Sequence, residues 1–326
     1  MIRLRATAGL AVAAALALAQ ASGAFDLGDE RLRDRQLRGA SLPPVAEPIA
    51  VVGIDEASLD AFPQPLVLWG SVLAEVVDAA TEAGAAAVGL DFLLKGTVAD
   101  WFPGAAEELA PALVRARLAG VPVVLQAIQV ADERGRPGAL SKPAPLYQLG
   151  AGGVGLANVT LDPDGVVRRQ ELGCEDPDAF ALTLGRLARP DATLPRCLTM
   201  PLRWRDTGGR WPGPSVQDVV EHRRAGDGAW LKEALGGRIL LVGSVAPSLG
   251  DHFRTPLLPI EDRLTPGVEI HAHALHTLYS ADAPAPWHRG VELLVVLLLG
   301  LGSAAAGVRM GAGRAGGLAA GGLLGW

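Results

Sequence analysis

The chain has 326 residues, of which 49% are hydrophobic and 20% are charged, so it can fill one sizeable core and still leave apolar segments over. Its formal net charge of -6 excludes the broad basic surface that nucleic-acid-binding proteins use. Aromatic residues make up only 5% of the chain, which leaves few side chains for stacking on bases. The composition therefore argues against disorder and against a nucleic-acid partner.

The chain begins with an apolar segment that carries a membrane or export signal. Residues 6–25 contain no charged residue and follow Arg3 and Arg5. A spanning helix needs about 20 apolar residues, and Lys and Arg mark its cytoplasmic end. We therefore predict an N-terminal transmembrane helix or signal anchor over residues 1–25. Small residues around Ala19 leave a cleaved signal peptide as the alternative, and both interpretations place the region after residue 25 outside the cytoplasm.

A second apolar segment lies near the other end of the chain. It runs from Leu293 to Val308, and Arg309 and Arg314 after it indicate its cytoplasmic side. We predict a transmembrane helix over residues 291–309, so residues 26–290 form an extracytoplasmic, periplasmic domain at a bacterial inner membrane.

The last twelve residues, 315–326, are apolar again but too few to span a bilayer. They are interpreted as the truncated start of a further transmembrane helix, with a short hydrophobic tail as the alternative.

The exported region opens with a strand followed by a helix. A continuous apolar run over residues 49–54, ending at Asp55, is typical of a strand that is buried on both faces. Apolar residues then recur at three- and four-residue spacings between Ser71 and Gly84, which predicts a helix.

Strands and helices go on alternating after this point. Residues 86–90 predict a second buried strand that ends at Asp91, residues 104–118 predict a helix, and residues 121–125 predict a third strand. Such alternation argues for a mostly parallel sheet with flanking helices, that is, an α/β fold.

The middle of the region changes character. Residues 154–169, with Asp-Pro-Asp-Gly at 162–165, resemble a hairpin. The two aspartates also suggest calcium, but the EF-hand pattern is absent and a tight turn favours the same residues. Further on, residues 238–242 predict another buried strand and residues 268–279 a helix. We find no linker that divides residues 26–290.

The cysteines leave two alternatives open. Cys174 and Cys197 are too few for a disulfide scaffold and lack the C-x-x-C spacing of a structural zinc site. In an oxidising compartment they could pair with each other, and otherwise they would be two small buried side chains.

One sequence pattern extends over nearly the whole exported region and consists of residues 49–55, 83–91, 154–169, 238–256 and 266–274. Its most specific part is Gly-Ser-Val-Ala-Pro-Ser-Leu-Gly-Asp at residues 243–251, followed by Thr255-Pro256. The pattern resembles the type 2 CHASE domain (CHASE2), a sensory extracellular domain associated with cyclases and histidine kinases. One departure is Leu-Trp-Gly-Ser at residues 68–71, where the family usually shows Trp-Pro-Trp and then Arg. A ligand role that depends on that Arg is not carried over.

Polar residues follow several predicted strands, at the edge where open parallel sheets bind ligands. Asp55, Asp91 and Ser244 occupy such positions. The family-like segment adds a group that could fold over the same crevice, namely Asp251, His252, Thr255, Glu269 and His271. The alternative is that Asp55 and Asp91 only terminate strands and bond to local backbone amides. The candidate ligand-binding residues are Asp55, Trp69, Asp91, Ser244, Asp251, Thr255 and His271.

No catalytic residue, metal or cofactor is assigned. Residues 243–246 lack the Gly-x-Ser-x-Gly elbow of a serine hydrolase. Of His271, His273 and His276, only the last two share a helical face, and the sequence offers no third zinc ligand beside them.

The resemblance and the flanking segments together favour the sensory module of a bacterial membrane signal-transduction receptor, whose cyclase, histidine kinase or diguanylate cyclase output is absent from this chain. The expected partners are an unidentified small-molecule or envelope ligand, the membrane and a second copy of the chain. The alternative is a membrane-tethered exported structural or assembly protein without signalling output. An extracytoplasmic α/β enzyme is the third and least supported interpretation.

Overall fold

The computed structural model describes residues 26–102, 107–131, 137–173 and 177–280, together with the single positions 294, 298 and 302. One compact unit spans Ala40–Pro284, and the two ends of the chain, Met1–Gly39 and Ala285–Trp326, form a second. In the second unit the structure describes α1 (Asp26–Gly39), a polar helix with an ion pair between Arg33 and Glu30 on its surface.

The compact unit of residues 40–284 alternates helices and strands. Its helices are α2 (Glu56–Ala61), α3 (Gly70–Ala83), α4 (Val98–Trp101), α5 (Leu109–Leu118), α6 (Pro145–Gly150), α7 (Phe180–Ala188), α8 (Val216–Arg224), α9 (Gly228–Leu235), α10 (Leu258–Glu261) and α11 (Gly267–Ser280). Its strands are β1 (Ile49–Ile54), β2 (Ala87–Leu90), β3 (Val123–Ala131), β4 (Pro137–Ser141), β5 (Gly153–Leu156), β6 (Arg169–Glu171), β7 (Thr199–Pro201), β8 (Ile239–Ser244), β9 (His252–Phe253) and β10 (Thr265–Pro266).

The central sheet is mostly parallel, which confirms the predicted α/β fold class. Its parallel strands lie in the order β1-β8-β2-β3-β5, and β4 pairs antiparallel with the far end of β3. Every residue of β1, β2 and β8 is buried. Helices cover both faces of these strands, which explains why their sequences are continuous apolar runs rather than alternating ones.

The sheet separates two layers of helices. One face packs against α3, α5, α6, α8 and α9, and this side holds the main hydrophobic core. The other face packs against α7 and α11. The core on the first face includes Val52, Leu90, Leu113, Val220 and Val242.

The predicted helix between Ser71 and Gly84 is confirmed as α3. It begins one residue earlier, at Gly70, and ends where Gly84 adopts a left-handed φ of 72°. Glycine favours this backbone conformation because it has no Cβ, so the residue serves as the helix C-cap.

The predicted hairpin over residues 154–169 is wrong in its first half. Residues 153–156 form β5, which pairs in parallel with β3, because the free edge of β3 satisfies the backbone groups of β5. A tight turn does form at residues 162–165, and the Arg168 guanidinium lies 2.9 Å from a carboxylate oxygen of Asp162 and from one of Asp164. Arg168 thereby lowers the pKa of Asp164 and occupies the acceptors that suggested calcium.

The outer edge of β1 is covered by the segment of residues 212–215. Val51 N donates to Pro212 O at 3.0 Å and Gly53 N donates to Pro214 O at 3.1 Å. Gly213 has a φ of 153°, and a Cβ there would lie 2.1 Å from Val51 O. The close approach of the two backbones therefore requires glycine at this position.

Among the described residues, no helix has both the length and the apolar character needed to cross a membrane. The predicted membrane segments, residues 1–25, 291–309 and 315–326, lie outside the described residues except for positions 294, 298 and 302. Cys197 is disulfide-bonded. Cys174, the other cysteine of the chain, lies outside the described residues.

Candidate functional site

A glycine in strand β8, Gly243, allows helix α11 to pack closely against the carboxyl end of the sheet. Asp91 directly follows β2, and its N–H donates to Val242 O at 2.8 Å, which places Asp91 beside Gly243. A Cβ on Gly243 would lie 2.6 Å from Cβ of Val268 on α11 and 3.2 Å from Cβ of Asp91. Because Gly243 has no side chain, α11 can contact the ends of the strands directly.

Three polar side chains meet at this contact. Nε2 of His271 on α11 lies 3.9 Å from Oδ1 of Asp91, and only 2% and 5% of the two side chains are exposed. Asp251, in the loop after β8, acts on Asp91 as a nearby like charge. We call Asp91, Asp251 and His271 the Asp91 cluster.

Asp251 also contacts the first residue of α11. Its carbonyl accepts a hydrogen bond from Gly267 N at 3.0 Å, and a Cβ on Gly267 would lie 2.5 Å from Oδ2 of the Asp251 carboxylate. The carboxylate thus lies at the N-terminus of a 14-residue helix, where the helix dipole favours negative charge. Helix α11 therefore starts directly on the cluster.

Burial controls the protonation of the cluster. It raises the pKa of Asp91 to about 8, an effect to which the charge of Asp251 adds, and it also raises the pKa of Asp251. It lowers the pKa of His271 to about 4, against a smaller opposite effect of the Ala157 backbone. A separation of 3.9 Å is too long for a hydrogen bond, so the attraction between Asp91 and His271 does not offset their desolvation. Near neutral pH we therefore expect an uncharged Asp91 beside an uncharged His271.

One nitrogen of the cluster lacks a hydrogen bond of ordinary geometry. His271 Nδ1 is buried and forms no such bond with the described residues, although the Ala157 backbone is near enough to affect the pKa of the ring. The ring itself packs edge-on against Phe180 with centroids 5.3 Å apart. A poorly satisfied buried polar atom costs free energy, so its presence in a native fold calls for a specific explanation, such as a functional role.

Two of the predicted site residues lie at the ends of neighbouring strands but apart from the cluster: Asp55 follows β1, and Ser244 is the last residue of β8. Oδ1 of Asp55 accepts from Ser58 N at 2.9 Å and from Ser58 Oγ at 2.7 Å, so Asp55 caps α2. Ser244 is one residue beyond Gly243, and alternation along the strand directs its side chain to the sheet face opposite the cluster. Its buried Oγ has no hydrogen-bond partner in the described part of the chain.

Trp69 and Thr255 take part in local packing. Trp69 is fully buried, packs edge-on against Phe62 and donates from Nε1 to Gln64 O at 2.9 Å. Thr255 is buried and shares a hydrogen bond of 2.8 Å with the hydroxyl of Thr265. The structure therefore brings together three of the seven predicted residues, Asp91, Asp251 and His271.

Glu269, which was expected near the same crevice, instead forms a second group of buried polar residues on α11 together with His273. The Glu269 carboxylate accepts from Arg263 Nη2 at 2.6 Å and from Trp211 N at 3.3 Å. The ring of His273 packs edge-on against both Trp204 and Trp211, each at 4.8 Å between centroids, and burial lowers its pKa to about 3. Arg263 is near in sequence, but Trp204 and Trp211 come from a distant segment, so no local sequence signal could have indicated their contacts with α11.

Within the described ranges, no group of three or more His, Cys, Asp or Glu residues has an arrangement that could hold a metal ion. Two of the histidines that suggested zinc have other contacts. His273 is enclosed by tryptophans, and His276 Nε2 accepts from Ala46 N at 3.2 Å.

Helix α11 connects the cluster with the C-terminal part of the chain. All of its residues from Gly267 to Leu278 are buried. Near its end, Thr277 Oγ1 accepts from Arg203 N at 3.0 Å and Tyr279 Oη donates to Gly185 O at 2.8 Å. Both ends of the helix are therefore held by specific contacts.

These features define a three-layer α/β domain with a closed, titratable cluster at the carboxyl ends of its central strands. Residues 8–304 match the model of the CHASE2 domain family, and this match covers most of the chain. The chain therefore belongs to the CHASE2 domain family, as the sequence resemblance indicated. CHASE2 domains are sensory domains of signalling receptors and are typically extracytoplasmic, and the family is not an enzyme family. No curated protein and no solved structure showed significant similarity to the chain.

Proposed function

We propose that this chain is the extracytoplasmic sensory module of a bacterial membrane signal-transduction receptor. In this proposal the Asp91 cluster responds to the stimulus, and α11 passes the change towards the inner membrane. The predicted segments at residues 1–25 and 291–309 anchor the domain. A cytoplasmic cyclase, histidine kinase or diguanylate cyclase is the expected output of the full-length receptor.

The observation that carries this proposal is the position of α11. The helix begins at Gly267 against Asp251, presents His271 to Asp91, and ends at Ser280, shortly before the apolar segment that starts at Leu293. A change in the cluster therefore acts directly on the element that leads towards the predicted membrane helix. Small shifts of packed helices are a common way of transmitting a signal between sites.

The disulfide of Cys197 supports an exported location. Disulfides persist in oxidising compartments such as the periplasm and are rare in the bacterial cytosol. This chemistry agrees with the predicted topology and with the typical location of the family.

The chemistry of the site favours sensing over catalysis. Ser244 is the buried hydroxyl of the family-specific segment at residues 243–251, and no described residue forms a hydrogen bond with its Oγ. A serine nucleophile needs an adjacent base within hydrogen-bond distance. The Asp91 cluster can change its charge, but it presents no nucleophile paired with a base.

The proposal is tested with a chimera in which a reporter adenylate cyclase follows Arg314, expressed in a bacterium that lacks its own cyclase. We compare the unchanged chain with Asp91→Asn and Asp251→Asn, and use Asp60→Asn as the control because Asp60 is exposed on α2. We expect both cluster variants to alter cyclic AMP production at least about fivefold, the lower range of allosteric coupling, while the control does not. Equal output from all four chimeras would refute the proposal.

A further inference from the structure

We infer that the stimulus at the Asp91 cluster is the proton itself, and that the cluster is a switch for alkaline conditions. It stays closed while Asp91 is protonated and opens when Asp91 ionises beside Asp251. This inference rests on the proposed function, because it assumes that the cluster is the sensing site.

The geometry of the cluster supports a ligand as small as a proton. The side chain of Asp91 is 5% exposed, and neither Gly243 nor Gly267 has room for an added Cβ. A cavity of about 300 Å³ does exist, but it lies on the other side of the sheet, between α3, α5 and α8. None of its lining residues belongs to the cluster, and its acid Asp78 is already paired with Arg115 at 2.7 Å.

The groups around Asp91 set the direction of the switch. Helix α11 contributes His271, the loop after β8 contributes Asp251, and α7 contributes the apolar ring of Phe180 next to His271. His252 also faces Asp251 and lowers its pKa, against the larger effect of burial. The pKa of Asp91 is about 8, whereas that of His271 is about 4. As the pH rises between these two values, Asp91 is therefore the member of this pair that loses its proton.

Ionisation of Asp91 acts on the start of α11. It places a negative charge in a buried site that already faces the Asp251 carboxylate, and two like charges in such a site repel each other. The backbone of Asp251 is hydrogen-bonded to Gly267, and its carboxylate packs against the same residue. A displacement of Asp251 therefore moves the first turn of α11.

Lowering the pH does not produce an equivalent switch through the buried histidines. The imidazoles of His271 and His273 have pKa values of about 4 and about 3, so both remain neutral through the range in which Asp91 titrates. In the folded protein these rings become protonated only near pH 4 and below, whereas the unfolded chain binds the same protons from about pH 6.5 downwards. Acid is therefore expected to reduce stability rather than to produce a signal.

The test follows the protonated carboxyl group directly. The complete chain is placed in lipid nanodiscs, and difference infrared spectroscopy follows the carbonyl stretch of protonated carboxylic acids between about pH 6 and pH 10. We expect a band that disappears with a midpoint of about 8 and is missing in Asp91→Asn. The matched control is Asp55→Asn, because Asp55 also directly follows a buried parallel strand and Asn is an equally good helix cap.

A second variant covers the case in which Asp91→Asn fails to fold. Asp251→Asn keeps Asp91 and removes the like charge, so we expect the midpoint of the same band to move down by roughly one pH unit. Hydrogen–deuterium exchange at one fixed alkaline pH should also be slower in α11 of Asp91→Asn than in α11 of the unchanged chain.

The proton switch is overturned if no carboxylic acid band titrates, or if the band titrates equally in Asp91→Asn. It is also overturned if Asp251→Asn leaves the midpoint unchanged. In any of these cases, a reporter chimera that still depends on Asp91 would leave the proposed sensory function intact. A normal titration combined with an unresponsive chimera would instead refute the sensory function and leave the protonation chemistry standing.

Discussion

Nε2 of His271 lies 3.9 Å from Oδ1 of Asp91, and burial keeps both side chains neutral near neutral pH. The pKa of Asp91 is raised from 3.8 to about 8, so between these values the folded protein holds a proton that the unfolded chain has lost. The contribution of Asp91 to the free energy of unfolding therefore falls as the pH rises from about 4 to about 8.

Asp91→Asn should remove this dependence, because asparagine is neutral and nearly isosteric. We expect the free energy of unfolding at pH 9 to rise by about 1–3 kcal/mol, with little change at pH 4, where the aspartate is protonated in the folded state. Thermal melts across this range measure the effect. A variant less stable than the unchanged chain at pH 9 would show that the carboxylate form is the stabilising one.

The contribution of His273 to the free energy of unfolding changes with pH in the opposite direction. Its pKa is lowered from 6.5 to about 3, so the unfolded chain binds a proton that the folded protein excludes, and stability is lost as the pH falls below about 6.5. Phenylalanine can occupy the space between Trp204 and Trp211 without titrating. We expect the melting temperature of His273→Phe to fall less between pH 7 and pH 4.5 than that of the unchanged chain. His222→Gln, on the surface helix α8, is the control, and an equal acid loss in His273→Phe would contradict the assignment.

The close contact at Gly243 predicts a strong effect from one added methyl group. Gly243→Ala would force Val268 and the first turn of α11 away from the sheet, and we expect a loss of about 1–3 kcal/mol in the free energy of unfolding. Gly228→Ala is the matched control, since a Cβ there meets nothing within 4 Å. Denaturant unfolding compares the two, and an equal stability of both variants would show that α11 adjusts freely.

Much of the fold could be predicted from the sequence because the central strands are buried on both faces. Continuous apolar runs identified β1, β2 and β8 within two residues of their ends. The pairing of β5 could not be predicted in this way, since an apolar strand pattern does not say which neighbour the strand will take. Residues 154–156 looked like one arm of a hairpin, yet they pair with β3 across a long sequence separation.

The candidate site was predictable only in part, for a related reason. Asp55, Asp91 and Ser244 share the same signal, a polar residue at the end of a buried strand. Their different surroundings depend on pleating and local caps: Ser58 engages Asp55, and Ser244 points to the opposite face from Gly243. Of the three, only Asp91 lies beside Asp251 and His271, because of contacts with α11. Such contacts depend on tertiary structure and cannot be read from the local sequence.

Topology provides an independent prediction. Arginines flank the predicted membrane segments on their outer ends, so residues 26–290 should lie outside the cytoplasm. A phosphatase reporter that is active only after export should work when fused at Gly150 and fail when fused after Arg314. Activity in the opposite pattern would exclude the extracytoplasmic sensor.

The disulfide of Cys197 can be examined chemically. In protein purified without reductant, we expect Cys197 to resist a maleimide reagent and to react after reduction. Cys197→Ser should lower the free energy of unfolding by about 2–4 kcal/mol, the usual range for a structural disulfide. Full labelling before reduction would contradict the bonded state.

The complete burial of α11 from Gly267 to Leu278 has a consequence for the shape of the response. A helix with neighbours on every side cannot tilt by small steps, because close-packed interiors resist continuous deformation and rearrange between discrete packings. Each molecule should therefore occupy one of two arrangements. A gradual dose response would then come from the changing proportion of molecules in each arrangement, and intermediate helix positions would contribute little.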